Sequence, residues 1–252
     1  MINQTMPLFR ASWKMMLRSR GVIFAVLAAA VPVVVLGLMR DLGFGFGDQT
    51  LNFFDYILPG FAVFLVVYQL QDIMVAVAAS YKARGILRRL AVTPVSPQLL
   101  VVAQMLSFVV LGVLAAFVIL ALGKLIGADL VITANLLWLI PLVALVVLTA
   151  LAIAFIIAGL TPNPQTAANV GATISFLLFG FTGVVLPIEA LPGALRDIVP
   201  YAVPYTALIR AIRGIVLTGE GITAYGQQVR VGLVWLVVAF TVAGISYRFT
   251  DE

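Results

Sequence analysis

Six stretches of this chain, residues 21–39, 56–80, 99–123, 136–160, 167–187 and 231–247, run apolar, and Asp72 is the one charge that falls inside any of them. At about 1.5 Å per helical residue each reaches, or nearly reaches, the ~30 Å of a hydrocarbon core. Only helices and closed barrels satisfy their backbone in lipid, and no stretch alternates apolar and polar positions as a barrel strand would. The pattern predicts an all-α integral membrane protein with six transmembrane helices, built as a single domain over residues 1–252.

Two further elements come from amphipathic spacing. In residues 6–18, Met6, Phe9, Trp13, Met16 and Leu17 share one helical face while Arg10, Lys14 and Arg18 recur on another, which predicts a helix lying in the membrane surface. Residues 188–228 are too polar to span, yet hold amphipathic runs at 189–199 and 205–217. These predict a helical hairpin before the last span, lying at the outer surface or dipping into it. Within the spans, Pro32 is expected to kink the first. Pro59 and Gly60 are expected to loosen the outer end of the second.

Composition agrees with a bilayer as solvent: of 252 residues 63% are hydrophobic and 10% charged, and the mean hydropathy is +1.17. The apolar run after Arg20 is too long for a cleaved signal, so the first span is expected to stay. The chain has no cysteine and no histidine, which removes disulfides, thiol nucleophiles, His-ligated metals and His-dependent triads. Its net charge of +5 sits beside apolar runs instead of along a polar face, so membrane lipids explain it and nucleic acid does not.

Charge also sets orientation. Arg10, Lys14, Arg18, Arg20, Lys82, Arg84, Arg88, Arg89 and Arg248 fall on one side of the predicted spans; Arg40, Lys124, Arg196, Arg210, Arg213 and Arg230 fall on the other, mostly in the long hairpin. The denser set marks the cytosolic side, which places both termini there in a multi-pass plasma-membrane protein.

Residues 81–97 form a basic island between the second and third spans. Gly85 breaks the preceding helix, residues 86–91 have room for little more than one turn, and Pro94 and Pro97 stop it. Leu87 and Leu90 share one face and Arg84 and Arg88 another. Arginines at headgroups would also satisfy an ordinary cytosolic loop. The order Arg84-Gly85-Ile86-Leu87, Arg89-Leu90, then Thr93-Pro94-Val95-Ser96-Pro97 resembles the coupling helix of type 2 permeases of ATP-binding-cassette exporters, the daunorubicin-resistance-like group. The run 183–192, followed by Pro204-Tyr205-Thr206 and by Arg210 to Arg213, resembles the same family.

That resemblance implies a transport subunit that is not itself an enzyme and holds no cofactor. ATP and Mg would bind a separate ATPase, present in two copies, which docks on Arg84, Gly85, Leu87, Arg88, Arg89, Leu90, Thr93 and Pro94. A second permease subunit, identical or paralogous, would complete the pathway. Motif checks agree: Gly123-Lys124 lacks the earlier glycine and the following Ser or Thr of a P-loop, and the glycines at 43, 45 and 47 follow no strand.

The membrane-depth polar set is Gln69 and Asp72 on the second span with Asn169 and Thr173 on the fifth, accompanied by Phe176 and Phe179. A carboxylate at that depth costs about 2.5–3.5 kcal/mol to insert, so Asp72 faces either a passage or a partner helix. The aromatics favour an amphipathic drug-like or lipid-like cargo. Glu189 and Asp197 on the outer hairpin, which also carries Arg210 and Arg213, are candidates for meeting it on release. An ATP-independent channel or small secondary transporter would instead use Asp72 as an ion site, and a lipid-modifying membrane enzyme would need convergent acids, bases or metal ligands.

Overall fold

The computed structural model describes residues 10, 13–14, 31–38, 53–86, 97–185, 188 and 191–247, and no strand occurs among them. The helices are α1 (Phe53–Ala83), α2 (Pro97–Ile126), α3 (Leu139–Leu160), α4 (Pro164–Phe181), α5 (Gly193–Ala202), α6 (Thr206–Thr218) and α7 (Gly226–Ser246). A 3-10 turn, Ala134–Trp138, leads into α3, and another, Ile222–Tyr225, leads into α7. Four helical stretches are long and apolar enough to cross a membrane: Phe53–Ala83, Leu99–Ile126, Ala134–Leu160 and Ile222–Ser246.

These match the predicted spans 56–80, 99–123, 136–160 and 231–247, each helix running a few residues further at one or both ends. Where a fifth span over 167–187 is expected stands the 18-residue helix α4, which starts three residues earlier and ends at Phe181; its polar positions keep it outside that set of four. Of the predicted first span, residues 31–38 are helical, with Pro32 inside the helix. Of the predicted surface helix 6–18, Arg10, Trp13 and Lys14 are helical, Trp13 half-buried and both cations exposed; the remainder lies outside the described residues.

Helices α1 and α3 form the centre. α1 packs on α2, α3, α4 and α6, and α3 on α1, α2, α7, α4 and α6. The core is aliphatic and dense: Leu58, Val63, Met74, Val143, Val147, Leu151, Leu208 and Ile212 are fully buried. Small residues permit the crossings. A side chain at Gly123 would meet Leu58, one at Gly232 would meet Leu208, and one at Gly159 would meet the backbone of Ser246. Lipid is as apolar as leucine, so close packing of this kind, not hydrophobic exclusion, drives helix association in a bilayer.

Pro59 and Gly60 lie within α1, which runs unbroken from Phe53. Pro59 is past the N-terminal turn, so the Asp55 carbonyl lacks its i+4 N–H partner while the helix continues. Gly60 instead gives room to Ile209, Arg213 and Val184. The hairpin, for its part, takes the second of its two allowed positions: α6 is buried along Leu208, Ile209, Ala211, Ile212 and Ile215 and lies against α1 and α7. Its tip, at buried Pro204 and Tyr205, reaches the level of Gln71, about 22 Å along α1 from Tyr56 at helical rise.

Candidate functional site

Hydrogen bonds define the two ends of the bundle. At the end where α1 finishes, Lys82 Nζ donates to the Gly159 carbonyl at 2.8 Å and the Tyr247 hydroxyl to that of Ala78 at 2.8 Å. Arg84 N–H bonds the Ser80 carbonyl at 3.0 Å, and Gly85 takes φ +60, the left-handed ending that favours glycine. The helix therefore stops where the basic island was expected to begin. Arg84 is exposed, and no described atom stands within 4 Å of a Cβ built at Gly85. Leu87, Arg88, Arg89, Leu90, Thr93 and Pro94 lie outside the described residues.

At the other end, Arg213 on α6 is a clamp. Its Nε donates to the Tyr56 carbonyl at 2.9 Å, Nη1 to the Tyr56 hydroxyl at 2.9 Å and Nη2 to the Gly183 carbonyl at 2.7 Å. The guanidinium also lies 3.9 Å over the Tyr56 ring, a stacked geometry available to arginine and not to lysine. Gly183, at φ +70, turns the chain after α4 so that its carbonyl faces this group. Arg213 thus holds the first turn of α1, the end of α4 and α6 together, which gives it a structural place. Beside it the Asp129 N–H donates to buried Asp55 at 2.9 Å and Asn135 to the Gly219 carbonyl at 2.8 Å.

Between the ends lies a polar node that spacing alone did not single out. Gln71 Nε2 donates to Ser175 Oγ at 2.9 Å, and the Tyr205 hydroxyl donates to Gln71 Oε1 at 2.9 Å. All three residues are buried, so α1, α4 and the hairpin tip meet on hydrogen bonds inside an apolar bundle. Gln71 is next to Asp72 in sequence but lies on a different face of α1 from the one that Gln69 and Asp72 share at i,i+3.

The predicted pathway residues divide. Asp72 is half-buried, Tyr68 lies one turn away within reach of its carboxyl, and its Oδ1 is buried with no hydrogen-bond partner. Gln69 is half-buried. On α4, Asn169 and Thr173 are exposed, with Gln165 one turn earlier on the same face. Gln165 donates to Asn169 at 3.3 Å, and Thr173 to the Asn169 carbonyl at 2.9 Å. Phe176 continues that exposed face at 73% accessibility. Phe179 turns away and packs on Phe61 and Phe64, with ring centroids at 6.2 and 4.6 Å. On the hairpin, Asp197 and Arg210 are exposed, and Glu189 lies outside the described residues.

No group of three or more metal-ligating side chains occurs among the described residues. What the bundle offers is a helical membrane scaffold with a two-helix re-entrant hairpin, a polar node at its tip and one helix with a polar exposed face. Those are the parts of a membrane permease. The model of the ABC-2 type transporter family matches residues 3–217, and the chain belongs to that family as a transmembrane subunit of an ABC transporter. No curated protein matches it. The family is one of transport subunits that in general act with an ABC ATPase and is not itself catalytic, which argues against the lipid-modifying reading.

Proposed function

We propose that this subunit works in an ATP-driven exporter of amphipathic, drug-like or lipid-like molecules, with its passage along α1 and α4. The observation that carries this reading is the exposed face of α4. Gln165, Asn169 and Thr173 stand in a row on a helix packed against α1, and a polar row of that kind is poorly tolerated against acyl chains and belongs beside water or a partner. Gly171 faces Val75 and Ser175 bonds Gln71, so this row lies near the level of Asp72, the carboxyl with an unpartnered oxygen. Phe176 extends the row with an aromatic surface suited to an amphipathic solute.

A second permease subunit, identical or paralogous, closes the passage over this face. Two ATPase chains, carrying ATP and Mg, dock on the segment from Arg84 to Pro94, in a plasma membrane with both termini in the cytosol. Exit lies at the hairpin end, where Glu189 and Asp197 would meet a cationic amphiphile.

The absence of native cysteine permits a direct test. Single cysteines at Asn169 and Thr173 are expected to react with water-soluble maleimides, and to change rate when ATP is added to the complex. A cysteine at Val237, 65% exposed on α7, is the lipid-facing comparison and should stay slow. Equal, slow labelling at all three positions would falsify the placement of the passage.

A further inference from the structure

A recess lies between α5 and α7. It has a volume of about 360 Å³ and is lined by Tyr201, Gln227, Arg230, Val231, Val234 and Trp235. Its inner wall is fixed by two hydrogen bonds that hold Tyr201 along α7: Trp235 Nε1 donates to the Tyr201 carbonyl at 2.8 Å, and Gln227 Nε2 to its hydroxyl at 2.8 Å. A second, adjoining recess shares Tyr201, Gln227 and Val231, and brings Arg210 and Gln228 to the same mouth.

The chemistry is graded along the membrane normal. Arg230 stands one turn into α7, exposed, and its bond to the Gly226 carbonyl uses only Nε, at 3.3 Å. Below it on one side of α7 run Val234, Val237, Val238 and Ile245, 63%, 65%, 45% and 67% exposed. That track is about 17 Å long at helical rise, the scale of an acyl chain. Trp235 and Tyr201 stand about 7 Å below Arg230 along α7 at helical rise and form an aromatic wall under the cation. No described carboxylate lines either recess, and Glu220 nearby accepts a hydrogen bond from the Tyr225 hydroxyl at 2.7 Å.

We infer that this recess is a site for one acidic phospholipid of the leaflet at the hairpin end, with its phosphate on Arg230 and Gln227 and a chain along the valine track of α7. Guanidinium and amide donors match phosphate oxygens, and the built wall of Tyr201 and Trp235 separates such a site from the general attraction of surface cations for anionic lipid. The occupant is a membrane component and not cargo. The inference requires only that the protein sits in a bilayer, and it does not depend on the direction of transport.

The test is native mass spectrometry of the full-length protein titrated with phosphatidylglycerol or phosphatidylcholine of matched chains. Wild type is expected to retain one phosphatidylglycerol, roughly fivefold better than phosphatidylcholine, the worth of one favourable surface charge. Arg230→Gln should abolish that preference, whereas Arg196→Ala, which removes an exposed cation of the same hairpin outside the recess, should leave it intact. Brominated phosphatidylglycerol should also quench Trp235 in a protein whose Trp13 and Trp138 are replaced by Phe, a readout that keeps position 230 native. Equal retention of both lipids by wild type, equal loss in the two arginine variants, or displacement by soluble glycerol phosphate at matched concentration would each overturn the assignment.

Discussion

Arg213 and Gln71 show what single polar residues accomplish in an apolar bundle. Each joins three segments, and the acceptors of Arg213 are mainly backbone carbonyls. Arg213→Ala removes the donors to Tyr56 and Gly183 together with the stacking on the Tyr56 ring. A loss of about 3 kcal/mol is expected, read as a fall of roughly 5–10 °C in the melting temperature of the purified protein. Arg213→Lys should recover only a minor part, because an ammonium cannot reproduce the fork. Gln71→Leu strands the Tyr205 hydroxyl and Ser175, at about 1–3 kcal/mol. Gln69→Leu, half-buried outside that node, should be close to neutral in the same melt. Equal losses at 69 and 71 would refute the assignment of the node.

At the scale of helices, apolar periodicity carried most of the information, because a bilayer imposes length and hydrophobicity together. The second, third, fourth and sixth predicted spans therefore correspond to α1, α2, α3 and α7. Helix ends were less legible, since they depend on local caps: Asn163 accepts the Thr166 N–H at 2.8 Å and Pro164 follows it, so α4 starts before the apolar run at Ala167. The depth of the hairpin was not legible either. An amphipathic run looks the same against a membrane surface as against a protein groove, and only packing of α6 on α1 and α7 separates the two. Of the site, exposed Asn169, Thr173 and Phe176 were readable as a helical face; the roles of Gln71, Tyr205 and Arg213 were not, being set by partners more than a hundred residues away for Gln71 and at Tyr56 for Arg213.

The same scale gives a prediction of opposite signs. Gly159→Ala forces a methyl group into the Ser246 backbone where α3 and α7 cross, whereas Gly244 on α7 has open space around it. Gly159→Ala should therefore lower the melting temperature, while Gly244→Ala should leave it unchanged or raise it slightly, as alanine is worth about 0.5–1 kcal/mol over glycine within a helix. The island after α1 has its own test. Replacing Leu87 and Leu90 together by Ser is expected to uncouple ATP hydrolysis from transport without loss of insertion. Normal transport by that double variant would rule out the segment as the point of contact with the ATPase.

For the whole molecule, the proposed orientation puts the two ends on opposite sides of the membrane. Cysteines at Arg84 and at Asp197, both exposed, should be labelled by an impermeant reagent from opposite faces of sealed vesicles, and labelling of both from one face would reject the orientation. The node at Gln71 carries a further consequence, one that concerns time. Its partner Tyr205 is 134 residues later in the chain. At ~5–20 residues per second of synthesis, α1 waits roughly 7–27 s before that hydroxyl exists. For most of this interval the amide of Gln71 has neither native partner, since Ser175 is itself 104 residues later in the chain. The hairpin completes the node before α7 is made, and α7 then closes over α3 and α6.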